Sequence, residues 1–297
     1  MSFTIANTVD EALAAMAAGA RPIAGGTDLV VSARHGKAPL PADLVAIDRL
    51  DELKSVTVTK GGVSIGALVT HHDIEMHALL STSYAGLADG SALVGSPSTR
   101  HMGTLGGNIM NASPAMDTGA PLAVMGAEVE LRSKKGSRRV PIEDLWTGPG
   151  KTIAQPDELC VAIHIPAPAV RSNSAYVRLE YRRAMEIAVV GAAAFVALND
   201  DGTIASLRVG LTAVSPKIFT GDFVGQIGRS VADAAIVVEQ VSKEQAKPIS
   251  DVRASDSYRL HTVGVMARRA VEAAARRAAG ETISVPVNRS IGIGAAS

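Results

Sequence analysis

Two short segments of this 297-residue chain carry the residue types from which an anion site can be built: Ile23-Ala24-Gly25-Gly26-Thr27-Asp28-Leu29 and Thr104-Leu105-Gly106-Gly107-Asn108. Each sets a pair of glycines beside hydroxyl or amide side chains. Successive backbone N–H groups in such a loop can turn inward and form a concavity that takes an anion. The first segment also runs into a helical pattern, and a helix N-terminus favours negative charge. Facing one another, the two segments could embrace a pyrophosphate without any lysine. A lone Gly-Gly pair is more often only a tight turn, and neither segment has the G-x-G-x-x-G spacing of a dinucleotide fold. The pairs therefore gain weight only from what surrounds them.

Other reactive residue types lead less far. His71, His72 and His77 lack the i, i+4 pair that sets two imidazoles on one helix face for a metal, and a helix-start cluster is the plainer reading. His101 lies in the stretch leading to the second glycine pair, where a structural or ring-contacting role is expected rather than general base catalysis. Gly150-Lys151-Thr152 resembles the end of a nucleotide-binding P-loop, but Leu145 stands where that motif needs glycine and Pro149 removes a needed N–H. Cys160 is the only cysteine, so the chain can form no internal disulfide and no cysteine-rich zinc or iron–sulfur site; between Leu159 and Val161 it reads as a buried, inert thiol. Arg182-Arg183 reads as a solvated pair. Lys plus Arg equals Asp plus Glu, 29 each, which gives no electrostatic footprint for nucleic acid or an anionic membrane. Hydrophobic residues at 47% supply a core, and aromatic residues at 3% leave little for gripping a large organic substrate by stacking.

The elements that must position these loops are legible in part. Residues 8–18 read as a helix, opened by Thr8 and Glu11 at capping-box spacing and stopped at Gly19. A short strand enters at 21–24, a helix follows at 28–35 and a strand at 44–47. Residues 56–65 alternate around Lys60-Gly61-Gly62 as a hairpin, and Thr70 to Asp73 again has capping-box spacing. Residues 81–90 carry a weaker helical pattern, and 91–114, rich in Gly, Ser, Asn and Thr, read as ordered loop. A helix at 117–125 and strands at 128–132, 139–142 and 158–165 complete the first part. Residues 169–174 look like a linker. Strands at 176–181, 192–198 and 204–214 precede helices at 231–241 and 257–279, an order that suggests an α+β second domain. The longest charge-free apolar stretch, 187–198, is about 12 residues, too short to span a bilayer, and no leader pattern opens the chain, so a cytoplasmic protein without a transmembrane segment is expected.

Taken together, Ala24-Gly25-Gly26-Thr27-Asp28-Leu29, then Ser98-Thr99-Arg100-His101-Met102-Gly103-Thr104-Leu105-Gly106-Gly107-Asn108-Ile109, then Asn111-Ala112-Ser113-Pro114 and Asp117, resemble the FAD-binding medium subunit of molybdenum hydroxylases, the family of carbon monoxide dehydrogenase and the bacterial xanthine dehydrogenases. The resemblance continues through Thr70-His71-His72-Asp73-Ile74, Gly148-Pro149-Gly150-Lys151-Thr152 and Ser257-Tyr258-Arg259, and covers nearly the whole chain. It implies an α+β fold in which a two-part FAD-binding domain of the vanillyl-alcohol-oxidase (PCMH) type, 1–168, is followed by a smaller α+β domain, 169–284, and a tail, 285–297.

The resemblance also implies site residues. Those at 23–29 and 104–108 match the loops that wrap the FAD pyrophosphate in the family, and Asp117 matches an acidic residue near the adenosine end. Val94 and Cys160 fall at positions lining the cofactor, Ile187 near the isoalloxazine ring, and Arg178 where relatives often have lysine, a change that keeps the charge but alters the geometry. No catalytic acid or base and no metal ligand is implied on this chain. It would be the electron-transfer subunit of an oxidoreductase, expected in a dimer of heterotrimers. A large subunit would hold the molybdenum cofactor and a small one the 2Fe–2S clusters; NAD, a quinone or oxygen would accept the electrons. A free-standing flavoenzyme of the same superfamily would need its own substrate pocket and proton donor, for which no residue set stands out. A flavin-free assembly subunit would not need the intact glycine loops.

Overall fold

The computed structural model describes residues 2–292. The chain opens with β1 (Ser2–Ile5), α1 (Val9–Ala17), β2 (Arg21–Ile23), α2 (Leu29–Arg34) and β3 (Asp43–Ala46). The strands make a parallel sheet in the order β1-β3-β2, so the connections must cross over, and α1 does so between β1 and β2. Val9, Ala12, Leu13 and Met16 recur at helical spacing in α1 and are its buried face. The Thr8 hydroxyl accepts from the Glu11 N–H at 3.2 Å, while the Glu11 carboxylate reaches the N–H of Asn7 at 2.8 Å rather than that of Thr8.

A second unit begins with the hairpin β4 (Val56–Thr59) and β5 (Gly62–Gly66). Short helices follow: α3 (His71–Met76), α4 (Ala78–Ser83), α5 (Ala85–Leu93), α6 (Pro97–Met102), α7 (Leu105–Asn111) and α8 (Gly119–Val124). Then come β6 (Glu128–Ser133), β7 (Gly136–Pro141), α9 (Ile142–Leu145), the small pair β8 (Trp146–Gly148) and β9 (Lys151–Thr152), and β10 (Leu159–Pro166). Five of these strands form an antiparallel sheet ordered β4-β5-β10-β6-β7. Ile65, Leu131 and Ile163 from the sheet share one core with Leu105, Ile109 and Leu122 from the helices. The Gly-Lys-Thr stretch thus lies in the β8–β9 turn and in β9, not in a phosphate-binding loop.

The last unit is an antiparallel sheet ordered β11 (Ser172–Leu179), β12 (Val190–Leu198), β13 (Ile204–Thr212) and β14 (Phe219–Asp222), covered by α10 (Val231–Gln245) and α11 (Asp256–Ala278), with α12 (Val287–Ser290) at the end. Val263, Ala267, Ala270, Val271 and Ala274 line the buried stripe of α11 and pack on Val177 and Val209 of the sheet. The architecture is the α+β arrangement expected from the sequence.

Three expectations of the sequence reading fail. Residues 91–114 are not loop: α6 and α7 lie within them, each capped by a hydroxyl, Ser96 accepting from Thr99 N–H and Thr104 from Gly107 N–H. The intrinsic propensity of α7 is low, and burial of Leu105 and Ile109 supplies what its glycines lack; α6 buries no residue and is opened by its Ser96 cap and Pro97. Residues 169–174 are not a free linker, because β11 starts at Ser172 and Ser174 is buried, accepting from the Gly86 N–H at 3.0 Å. Within 285–292, expected as tail, Val287–Ser290 form α12 with Val287 and Asn288 fully buried; residues 293–297 lie outside the described residues.

Candidate functional site

The first glycine segment links β2 to α2. A Cβ at Gly25 would lie 1.8 Å from the carbonyl oxygen of Met102, so only glycine lets this loop approach the end of α6. Gly26 adopts a φ of +69°, which turns the chain into α2. Among the described residues, the N–H groups of Gly25, Gly26, Thr27 and Asp28 donate to no protein acceptor. Gly25, Gly26 and Thr27 are half-buried and Asp28 is exposed, and four consecutive unpaired donors are what an anion-binding concavity requires. Because α2 has only six residues, the loop amides rather than a helix dipole carry this attraction. Asp28 closes the loop, and burial raises the pKa of its carboxyl.

The second segment is built differently. Leu105 N–H donates to Val69 O at 3.0 Å, Gly106 N–H to Ala67 O at 2.9 Å and Gly107 N–H to Thr104 Oγ1 at 3.1 Å. Its amides are therefore occupied within the chain, unlike those of the first loop. Gly106 is pressed on the backbone of Ala67, where a Cβ would lie 2.7 Å away. Gly107 is exposed, and among the described residues an added Cβ would have only Thr104 Oγ1 near it, at 3.0 Å. Asn108 is partly committed too: its Oδ1 accepts from the Thr118 hydroxyl at 2.6 Å. The expectation of two like cradles is thus corrected. One loop offers donors, and the other offers a bare glycine surface held rigid by its caps. The two are brought together, Gly103 lying beside Thr27 with its would-be Cβ 3.5 Å from Thr27 Oγ1.

Histidines flank this junction. His71 donates its backbone N–H to Gly103 O at 3.0 Å and buries its ring, whose Nδ1 has no hydrogen-bond partner among the described residues. Burial, with the nearby Arg100 charge second, lowers its pKa to about 4, so it is neutral at physiological pH. Arg100 pairs with Glu75 at 2.9 Å. His72 and His101 stack with ring centroids 3.9 Å apart, and His101 Nδ1 lies 2.8 Å from Pro97 O. Among the described residues no group of three or more candidate ligands could hold a metal.

The remaining expected residues divide. Val94 caps α5 half-buried, and beside it Gly95 O accepts from the Met185 N–H at 2.8 Å, which brings the 181–189 segment carrying the exposed Ile187 against α6. Asp117 does not present a free carboxylate for a ribose: Oδ2 accepts from Arg178 Nη1 at 2.8 Å and Oδ1 from Tyr176 Oη at 2.9 Å. Arg178 is fully buried, and its other donors go to Glu180 and to backbone carbonyls. Burial opposes its charge, yet Asp117, Tyr176 and Glu180 outweigh burial and raise its pKa. Cys160 sits in the core with Leu105 and Ile109, and burial first, then the Glu130 charge, push its thiol up to about 12. Arg178 is thus fully buried and Cys160 nearly so. The sequence reading missed Tyr176, Glu180 and Met185, and also the buried pair Asp89–Arg277, closed at 2.6 Å. Asp89 carried a usable signal, being the one charge in the otherwise apolar stretch Ala85-Gly86-Leu87-Ala88-Asp89-Gly90.

The family model described as the FAD binding domain in molybdopterin dehydrogenase matches residues 1–168, and that of the CO dehydrogenase flavoprotein C-terminal domain matches 175–274. The chain is 33% identical over 262 residues to the carbon monoxide dehydrogenase medium chain of Afipia carboxidovorans, covering 87% of this chain and 90% of that one. It is 29% identical over 267 residues to the xanthine dehydrogenase FAD-binding subunit of Escherichia coli O157:H7, covering 88% and 91%. Among solved structures, reconstituted CO dehydrogenase from Oligotropha carboxidovorans superposes with a TM-score of 0.88 at 29% identity, covering 93% of this chain and 98% of the matched one.

Proposed function

The chain belongs to the family of FAD-binding domains in molybdopterin dehydrogenases, and from that premise we propose that it is the electron-transfer subunit of a heteromeric oxidoreductase. It would take electrons from 2Fe–2S clusters on a small partner and pass them to an external acceptor, while a large partner carries the molybdenum cofactor and oxidises the substrate. The observation that carries this reading is the run of unpaired N–H groups from Gly25 to Asp28, packed against Met102 and Gly103. These donors suit a pyrophosphate, and the bare face of Gly107 lets phosphate oxygens approach closely. The single cysteine supports placing the clusters elsewhere, since a 2Fe–2S centre needs four protein ligands.

When bound, the isoalloxazine supplies the redox chemistry, and the protein contributes binding, orientation and electrostatics. Residues 25–28 would hold the pyrophosphate by backbone donors, with Thr27 Oγ1 at the junction of the two loops. Thr104 keeps Gly107 in place through its cap. Val94, Met185 and Ile187 would shield the ring from water on the side of the 181–189 segment. His71, neutral and buried behind Gly103, adds no charge there. Among the described residues no helix is long and apolar enough to cross a membrane.

The test is a visible absorption spectrum of the protein purified with whatever accompanies it, followed by a gel of its subunits. Flavin bands with iron–sulfur absorbance and two companion chains are expected. A colourless single chain that cannot be loaded with FAD would overturn the reading.

A further inference from the structure

We infer that Arg178 is a positioning residue that holds the 181–189 strap against the N-terminal half of the molecule and touches no cofactor itself. Its side chain is fully buried, and its donors reach four separate places. Nη1 lies 2.8 Å from Asp117 Oδ2, 3.0 Å from Leu93 O at the end of α5 and 3.3 Å from Glu186 O in the strap. Nε and Nη2 fork onto Glu180 Oε2 at 3.0 and 2.6 Å, just before the strap begins. The backbone of Arg178 is locked as well, its N–H donating to Asn288 Oδ1 at 3.0 Å and its carbonyl accepting from Asn288 Nδ2 at 2.8 Å.

The strap is held at other points. Met185 N–H donates to Gly95 O at 2.8 Å, Arg253 Nη1 lies 3.5 Å from Ala188 O, and Tyr181 Oη donates to Arg253 O at 3.0 Å. Met185 has a φ of +55°, a left-handed conformation that a non-glycine residue keeps only when its surroundings impose it. Met185 and Ile187 meanwhile remain 56% exposed. The strap is thus fixed through its backbone while it presents apolar side chains, an arrangement suited to setting a surface in place. Lysine could not replace Arg178, because an ammonium group lacks the rigid fork that serves Glu180 while Nη1 gathers Asp117, Leu93 and Glu186.

That the presented surface faces a flavin rests on the function proposed above; the hold on the strap does not. The primary test therefore uses the full chain without flavin. Arg182 and Arg183, both exposed, offer trypsin sites in the strap. In Arg178→Lys, cleavage there is expected to be roughly tenfold faster under conditions where all variants are folded, since the local opening that admits the protease becomes easier. Asp89→Asn is the comparator: it weakens the other buried ion pair, Asp89–Arg277, without touching the strap, and should cut at the wild-type rate. Equal rates in the two variants, or no acceleration in Arg178→Lys, would overturn the inference. Should Arg178→Lys fail to fold, Glu180→Gln weakens only the fork and carries the same expectation and the same overturning result. In the FAD-loaded complex, Arg178→Lys should retain flavin but shift its reduction potential and visible circular dichroism. Complete loss of flavin with an uncut strap would instead make Arg178 a cofactor ligand and sink the proposal. A wild-type chain that takes no FAD would remove the proposed function while the proteolysis still decides the role of Arg178.

Discussion

At the scale of single residues, the two glycine pairs separate packing from ligand approach. Gly25→Ala must push its Cβ into the Met102 carbonyl, so it should destabilise the free protein by roughly 1–3 kcal/mol in urea unfolding, as overpacking does. At Gly107 an added Cβ would meet, among the described residues, only Thr104 Oγ1, so Gly107→Val should cost about 1 kcal/mol yet abolish FAD retention by standing against the phosphates. A Gly107→Val protein with full flavin would remove the pyrophosphate assignment. His71 gives a pH dependence of fixed sign. Its folded pKa, about 4, lies below the 6.5 of the unfolded chain, so between these values the unfolded state binds more protons. Stability is therefore fully present above about 6.5 and falls as pH drops toward 4, by on the order of 2 kcal/mol at pH 5. Comparing urea midpoints at pH 7.5 and pH 5 in wild type and His71→Gln checks this; an unchanged slope in the variant would clear His71 of the effect. Cys160, with its thiol pushed up to about 12, should ignore alkylating reagents at pH 8 until the protein is denatured, and rapid native labelling would place it on an accessible surface after all.

At the scale of elements, the second loop depends on one cap. Thr104 Oγ1 accepts the Gly107 N–H and opens a helix of seven residues whose sequence, Leu-Gly-Gly-Asn-Ile-Met-Asn, has little helical preference. Thr104→Ala should cost about 1 kcal/mol of stability and loosen Gly107, which hydrogen exchange at that amide would register as faster exchange than in wild type. The caps at Ser96 and Thr104 were present in the sequence, and the pattern around them still reads as loop. Hydrophobic periodicity cannot be sustained over six or seven residues. What makes α7 helical is the burial of Leu105 and Ile109 under the five-stranded sheet, a long-range contact no local window contains, whereas α6 buries no residue and is set by its Ser96 cap and by Pro97 in its first turn.

At the scale of the whole molecule, two buried ion pairs join the parts of the chain. Asp89 on α5 accepts from Arg277 on α11 and from the N–H groups of Tyr176 and Val287, while Asp117 accepts from Arg178 and Tyr176. Breaking such a pair leaves an uncompensated charge in the interior, so Asp89→Ala should destabilise by about 3–5 kcal/mol, measured as a drop in the thermal midpoint. A near-neutral result would mean that water or a neighbour satisfies Arg277.

The sequence by itself determined that an anion site could be made at residues 23–29, that α+β elements follow, and which family the motifs resemble. Each of these rests on local chemistry: a glycine pair, a cap, an alternation along a strand, a string of side chains in order. Only the tertiary structure decided which amides are free. Gly25 to Asp28 keep theirs because no strand or helix reaches them, whereas Ala67 and Val69, nearly forty residues before the second loop, take those of Leu105 and Gly106. It likewise decided that Asp117 and Arg178 pair with each other across 61 positions of sequence. A charge in a sequence does not name its partner; burial and geometry choose it, because an ion withdrawn from water must find its counter-charge within hydrogen-bond reach.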